Sequence, residues 1–498
     1  MKSWLRCAAV FGVAALLMAA CGGGSGSKRA GRGVSDDEQG VSEQALTAGA
    51  DRAGGREGVG PSSGGEGRGT AGTGAAPGQS ATGAQAGAVP LRNCTVTLGI
   101  SYVVDLAAAL AVLGYPQAAG QVADEEEARR AYEVGIEWIN RNGGINGCKV
   151  KAVYFEWKSS GDWQAQSQEE CSYFTEDHDV FAILPSGNER RVLLECAAKK
   201  GVPVFYHYEV ATPDMKRYRG MLYQPNLFDS YRVARPAIDA LAGSGFFGKA
   251  TNFAKGSKVG IFWAEDAEGY QKYQVDKIIK PRLEKMGIKV VMGGGIKPGT
   301  GVGDVGDSSQ TAQPIVLKFK NENVDHVICP WSCLWSYFIF SPVAESQQYR
   351  PWYGLLGSAA LSSQEQYKKT WLVDGSPYGW DGTLRSTEKA NSGFKKCEEV
   401  YAESGRFAVW GGTNLLCSRL FFLQQTLRGK SKLSAQSLLA GAEALGTSFV
   451  DPNSYGATRF GPGRYDGARI IATRRCDPDN CTGAQPEFVR VGPHVDIG

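Results

Sequence analysis

Cysteine is the residue type in this chain with the most chemistry to offer, and its count narrows what that chemistry is. Twelve cysteines occur in 498 residues. Cys7 and Cys21 lie near the N-terminus, which leaves Cys94, Cys148, Cys171, Cys196, Cys329, Cys333, Cys397, Cys417, Cys476 and Cys481. An even set in an exported chain reads as disulfides. A zinc site is the rival. Cys329-Pro-Trp-Ser-Cys333 lacks the usual two-residue gap, and no second cysteine pair or histidine cluster stands near it. Spacing leaves the connectivity open; pairing in order along the chain is the expectation (94–148, 171–196, 329–333, 397–417, 476–481).

The remaining motifs come to less. Gly243-Ser-Gly-Phe-Phe-Gly-Lys-Ala250 nearly spells a phosphate loop, but Ala250 stands where a magnesium-binding Ser or Thr belongs, and the segment follows a helical pattern. Gly301-Val-Gly-Asp-Val-Gly306 fits a dinucleotide fingerprint by letters only. Asp304 and Asp307 would repel a pyrophosphate, and a loop is expected there rather than the start of a helix. Asp477-Pro-Asp-Asn480 reads as a turn between Cys476 and Cys481 rather than a calcium site. No H-E-x-x-H pair occurs, and there are only four histidines. With no nucleophile–base or metal constellation, the expectation is a protein that is not an enzyme and takes no cofactor and no metal.

The N-terminus argues for export. Lys2 and Arg6 precede an apolar run, Ala8 to Leu17, that ends Met18-Ala-Ala-Cys21. This is the layout of a secretory signal peptide, with a run too short to span a bilayer. A cysteine directly after Ala19-Ala20 also resembles a lipoprotein lipobox, in which Cys21 becomes the lipidated first residue. The expectation is a signal peptide over 1–20 and a protein anchored to the outer face of the cell membrane. From Cys21 to about residue 92 the chain is rich in Gly, Ala, Ser and Thr and cannot bury a core. Such a flexible tether would span about 45 Å r.m.s.. The rest, roughly 400 residues, suits two domains rather than one. Lys+Arg 54 against Asp+Glu 51 leaves a net charge of +3, which gives no ground for nucleic acid as a partner.

These residues must be positioned by a repeating scaffold. Strand-like runs (Cys94–Ile100, Lys149–Phe155, Val180–Leu184, Val202–Tyr206) alternate with helical spacing (Asp124–Asn142, Gln164–Thr175, Glu189–Lys200). After a helix over Tyr231–Ala242 the rhythm restarts, with strands at Lys258–Trp263, Ile288–Met292, His326–Cys329 and Trp352–Leu355. Helices at Tyr270–Met286, Gln313–Asn321 and Leu334–Ser346 separate them. Thr387–Leu445 is helix-rich, and short strands near Arg469–Thr473 and Phe488–Val491 finish the chain. Such alternation means parallel sheets wrapped by helices. The fold class is α/β: two doubly wound parallel-sheet lobes, with a cleft between them at the strands' carboxyl ends.

At this point the chain resembles a known family. Trp138-Ile-Asn-Arg-Asn-Gly-Gly-Ile-Asn-Gly-Cys-Lys-Val150 is similar to the helix-end signature of the leucine/isoleucine/valine-type periplasmic binding proteins, the type I solute-binding fold. Lys200-Gly-Val-Pro-Val204 resembles that family's entry to its fourth strand, and Phe262–Tyr270 its segment opening the second lobe. The signature has a physical reading: Gly143 and Gly144 end a helix with positive φ, and Gly147 turns into a strand. The resemblance implies lobes of 93–225 plus 385–455 and 226–384 plus 456–498, joined by three crossings. It also supports the first two disulfides: Cys94 and Cys148 would start neighbouring strands, and Cys171 and Cys196 would flank the third.

The resemblance further implies where a ligand would be met. After the third strand, Ser186, Gly187 and Asn188 would offer a hydroxyl and backbone N–H groups at a helix start, an anion site for a carboxylate. His207, Tyr208 and Glu209 would form the next wall, with Glu268, Trp331 and Ser332 facing them from the second lobe. One departure bears on the ligand. Leu356 stands about where the amino-acid binders keep an acid for the ligand's ammonium, and Trp331 supplies an aromatic face instead. Tyr337 and Phe338 are expected in the core. The implied function is a solute-binding lipoprotein of the amino-acid transport class. It would deliver a small organic molecule other than leucine, isoleucine or valine to the permease subunits of an ABC importer. A ligand-sensing lipoprotein of the same fold is the alternative.

Overall fold

The computed structural model describes residues 89–90, 93–112, 125–186, 190–206, 210–248, 258–331, 333–357, 368–378, 384–402, 412–477, 479, 481 and 487–498. The leader, nearly all of the tether and Cys21 lie outside these residues.

The first sheet grows from β2 (Thr95–Val104), whose alternate residues Val96, Leu98, Ile100, Tyr102 and Val104 are apolar and buried. It is flanked in parallel by β3 (Lys149–Lys158) and β4 (Ala182–Leu184) in the order β3-β2-β4. Val96, Leu98 and Ile100 are fully buried. The strand expected over Val202–Tyr206 contributes one bridging residue: Val204 pairs with Ile183 on one side and Leu222 on the other. Around this sheet pack α1 (Leu106–Val112), α2 (Glu125–Arg141), α3 (Trp163–Ser172), α4 (Arg191–Lys199) and α5 (Thr212–Arg217). The signature after α2 behaves as its letters imply. Gly143, Gly144 and Gly147 all have positive φ, and a Cβ on Gly144 would stand 1.9 Å from the Cys148 carbonyl oxygen.

The chain then crosses at Gln224–Asp229 and enters α6 (Ser230–Gly243), started by Asp229, whose carboxylate accepts from Tyr231 N at 2.9 Å. The second sheet runs β5 (Lys258–Ala264), β6 (Lys289–Ile296), β7 (His326–Cys329), β8 (Trp352–Leu356) and β9 (Thr370–Asp374), all parallel, in the order β9-β8-β7-β5-β6. Its helices include α7 (Tyr270–Gln274) and α8 (Lys280–Lys285), joined by a π turn, then α9 (Val305–Asn321) and α10 (Leu334–Ser346). Helix α9 begins eight residues before the expected Gln313, so a helix does start within the Gly301–Gly306 segment. Asp304 accepts Thr300 N at 2.6 Å and Thr300 Oγ1 at 2.7 Å, and the turn this closes leads into α9. Buried Ser308, Ala312 and Ile315 then hold a stretch whose glycines and serines favour a helix poorly by themselves.

Helices α11 (Ser392–Ala402), α12 (Gly412–Leu427) and α13 (Ala435–Ala444) return to the first core. A Cβ on Gly135 would come within 2.7 Å of Leu416, so α2 and α12 lie backbone to side chain. Between α12 and α13, β10 (Lys432–Leu433) pairs antiparallel with β1 (Val89–Pro90). The chain ends with β11 (Ile470–Cys476), antiparallel to β9 and carrying β12 (Phe488–Arg490) and β13 (Val495–Asp496). Two cores result. One holds residues from Val96 to Tyr223 and Cys397 to Tyr465, the other residues from Phe228 to Val373 and Ala468 onward. Phe460 and Tyr465, past the boundary expected at 455, pack in the first core.

All ten cysteines pair in chain order, with Cα–Cα separations of 4.8 Å (94–148), 6.2 Å (171–196), 5.8 Å (329–333), 5.8 Å (397–417) and 5.5 Å (476–481). Each lies in the range a disulfide spans, and such bridges typically contribute about 2–4 kcal/mol.

One buried acid makes stability depend on pH. Asp451 lies beyond α13 and is fully buried, and burial pushes its carboxyl up to about 6 although Ser418 and the Asn453 N–H favour the charged form. The unfolded chain has the lower pKa, so the folded state binds the extra proton between about pH 4 and 6. Stability is therefore highest below that window and falls as pH rises through it, by about 3 kcal/mol. Asp451→Asn keeps the shape and removes the titration. Urea midpoints measured from pH 4 to 7 should lose most of this slope in the variant, and an unchanged slope would refute the assignment.

Candidate functional site

The carboxyl ends of β2, β3 and β4 meet those of β5 and β6. Several of the loops there are set by a local carboxylate. Asp105, with φ 56, accepts Ser159 N at 2.7 Å and Ser160 N at 3.2 Å, which sets the turn after β3. Asp162 caps α3 through Ala165 N at 2.7 Å. Across the gap, Asp266 accepts Tyr270 N at 2.6 Å and Gln271 N at 2.8 Å, which starts α7 after β5.

These loops touch through three kinds of contact. The first is backbone: Trp163 N donates to Thr300 O at 2.7 Å, and a Cβ on Gly301 would lie 2.7 Å from Gly161 O. The second is apolar: Val302 packs with Ala109, Trp157 and Trp163 in a small cluster drawn from both lobes. The third is ionic. Arg190 stacks 4.5 Å over the Trp163 ring and donates to Gly299 O. Arg191 forms a bidentate pair with buried Asp214 and reaches Glu195 at 3.2 Å and, from the opposite lobe, Glu268 at 3.0 Å. Tyr270 donates to Asp214 at 3.2 Å. Burial works against the Arg191 charge, but Asp214 first and Glu268 next outweigh it, so its pKa is raised and the guanidinium stays charged. The lobes are latched at this rim.

Of the residues expected to meet a ligand, Gly187, Asn188, Tyr208, Glu209 and Ser332 lie outside the described residues, as does His207. Ser186 is half-buried on the loop after β4. Its Oγ accepts from Tyr132 OH at 2.7 Å, and its N–H donates to Ser101 Oγ at 3.0 Å. Buried Arg419 props the same loop by donating to Pro185 O at 2.6 Å. Glu268 lies at the rim on Arg191, so the Ser186 loop and Glu268 are brought together through the first residue of α4. Trp331 goes elsewhere. Its ring is 2% exposed and packs edge-on to Phe228 at 5.3 Å in the second core, where Leu356 is also buried. Its loop is fixed by Trp331 N donating to Gln274 Oε1 at 3.0 Å, while the buried indole Nε1 has no hydrogen-bond partner among the described residues. Tyr337 is in the core as expected, edge-on to Tyr353.

Sequence reasoning missed Arg190 and Arg191, Asp214, Tyr270 and the Gly301–Gly161 approach. One signal was available: two arginines at the start of a helix oppose its dipole and need acidic partners. The glycine spacing at 301–306, set aside as a false nucleotide motif, marks a close backbone approach instead.

No known family's sequence pattern matches the chain, and no curated protein matches it in sequence. Solved structures do resemble it. A branched-chain amino acid ABC transporter protein from Thermus thermophilus with bound valine is 11% identical with a TM-score of 0.54, covering 82% of this chain and 97% of that one. An ABC transporter substrate-binding protein from Desulfitobacterium hafniense in complex with Leu is 14% identical with a TM-score of 0.52, covering 79% and 100%. A fatty acid ABC transporter substrate-binding protein from Thermomonospora curvata is 15% identical with a TM-score of 0.52, covering 82% and 94%.

The rim contact yields a controlled test. Gly301→Ala places a methyl group against backbone, whereas a Cβ on Gly303 meets nothing within 4 Å. Small-angle scattering should therefore show Gly301→Ala shifted toward a larger radius of gyration and Gly303→Ala unchanged; equal profiles for both would mean that this approach does not hold the lobes together. At such low identity the likeness speaks for architecture, and the architecture of this chain is that of the type I periplasmic binding proteins: two parallel α/β lobes facing each other across their strands' carboxyl ends.

Proposed function

We propose that this protein is an extracytoplasmic solute-binding lipoprotein, anchored through Cys21, that captures a small organic molecule between its lobes and delivers it to an ABC importer. The observation that carries the reading is the rim latch: loops at the carboxyl ends of both sheets meet through Arg191, Asp214 and Glu268 rather than through a continuous core. Contacts of this partly exposed kind exchange more readily with water than a packed core does, which suits lobes that open and close. The lobes of this reading are 93–225 plus 385–455 and 226–384 plus 456–498. The similar structures, which carry leucine, valine or a fatty-acid assignment in their descriptions, support transport of small organic solutes.

The ligand in this reading is not a branched-chain amino acid held by its ammonium. Leu356, in the position of the expected acid, is 3% exposed and apolar, and an ammonium buried without a partner costs more than the about 1–3 kcal/mol of a neutral unpaired group. A thermal-shift screen of amino acids, aromatic acids, amines and amides should register the ligand, since one at a hundred times Kd adds about 2.7 kcal/mol. Ser186→Ala should reduce that shift, and a clear shift with micromolar leucine would overturn the ligand reading.

Anchoring has its own test. Replacing Cys21 by Ala should move the protein from the membrane fraction to the soluble fraction. A variant still held to the membrane by its N-terminus would contradict the lipid anchor.

A further inference from the structure

The amino-end side of the first sheet, opposite the rim, carries a pocket of about 450 Å³ where α2 gives way to β3. Trp138 forms one wall and the Gly143–Gly147 turn another; Lys396 of α11 and Arg428, just past α12, project into it. The volume falls within the usual range for small-molecule sites. Two cations line it, and among the described residues none that lines it is acidic.

The way Lys396 is held makes the pocket informative. Its ammonium stands 4.3 Å from the centre of the Phe421 ring and 5.4 Å from that of Trp138. Ring faces attract a cation without cancelling its charge. Desolvation first and the Arg428 charge second lower the Lys396 pKa, with Glu399 acting the other way. Two like charges therefore share one concavity. The turn that shapes the wall is rigid: Gln424 Nε2 donates to Gly144 O at 2.9 Å, and Asn146 both donates to Lys430 O at 2.7 Å and accepts Gly429 N at 2.8 Å. An oxyanion entering here would meet both cations at once, and charge-assisted bonds of that kind are the strong ones.

We propose that this pocket is a second ligand site, separate from the interlobe cleft, that binds a small phosphate-type oxyanion between Lys396 and Arg428. The probe is inorganic phosphate, added to the purified full chain and compared with sodium chloride at matched ionic strength. Phosphate should raise the melting temperature along a saturable curve. Lys396→Met and Arg428→Gln should each weaken phosphate binding by ~10-fold or more, while Gly301→Ala at the rim should leave it unchanged. A second reading does not depend on variant folding: phosphate should slow acylation of the Lys396 amine, followed by mass spectrometry, relative to chloride. No phosphate-specific shift in the parent chain, equal shifts in both pocket variants, or an unprotected Lys396 amine would each overturn the proposal.

Discussion

The two sheets are tied together around one buried carboxylate. Asp466 is 3% exposed and sits where the chain crosses from one core to the other. An isolated charge there would be costly. It is satisfied from both directions: Asp229 N donates to it at 2.7 Å from the first crossing, and Arg232 on α6 donates through Nε at 2.9 Å. Beside it the crossings form one parallel β-bridge, with Gln224 N donating to Tyr465 O at 2.9 Å and Gly467 N returning to Gln224 O at 2.8 Å. A Cβ on Gly467 would lie 2.2 Å from Pro225 O, so the two segments run closer than any larger residue allows.

A second polar joint supports the first. Arg474 on β11 is fully buried and reaches Asp374 at the end of β9 at 3.1 Å and Glu388 at 3.0 Å; Arg385 joins Asp374 at 2.9 Å. Glu388 also meets Arg490 at 3.2 Å. The segment leaving the second sheet for α11 is thus held by charge pairs inside the fold, where each partner keeps the other from being an uncompensated buried ion. Next to it Tyr378 stacks on Phe394 at 4.3 Å, which docks the same segment onto α11. Hinges held by directional bonds rather than by bulk apolar contact keep their geometry while the bodies they join move.

Far from these joints, the rim contact is of another character. Arg191 is partly exposed, its partners come from its own helix, from α5 and from the loop after β5, and the buried apolar part of the contact is four residues. Firm joints at the crossings and a light latch at the rim give the mechanical contrast that a closing cleft needs. The Lys396–Arg428 pocket, in contrast to the cleft, is lined by residues of one lobe.

Much of this protein was legible in its sequence. Period-two and period-3.6 apolar patterns are local, so both parallel sheets, most helices and the two-lobe plan followed from them. The turn after α2 was legible because only glycine suits positive φ at Gly143 and Gly144, and the disulfide pairs followed the order of the chain. What failed depended on distant partners. Val202–Tyr206 looked like a strand but contributes one bridging residue, since a ladder depends on the partner segment as well as on the strand's own residues. Helix α9 starts early because burial and the Asp304 turn override weak propensity. Trp331 stands at a strand's carboxyl end, as its position implied, but Phe228 from the crossing claims its ring for the core. Arg191, Asp214 and Glu268 are each ordinary charges in sequence. Only the fold brings both acids within reach of Arg191, because salt bridges and backbone approaches such as Gly301 to Gly161 are decided by where whole sheets end, and no local pattern encodes that.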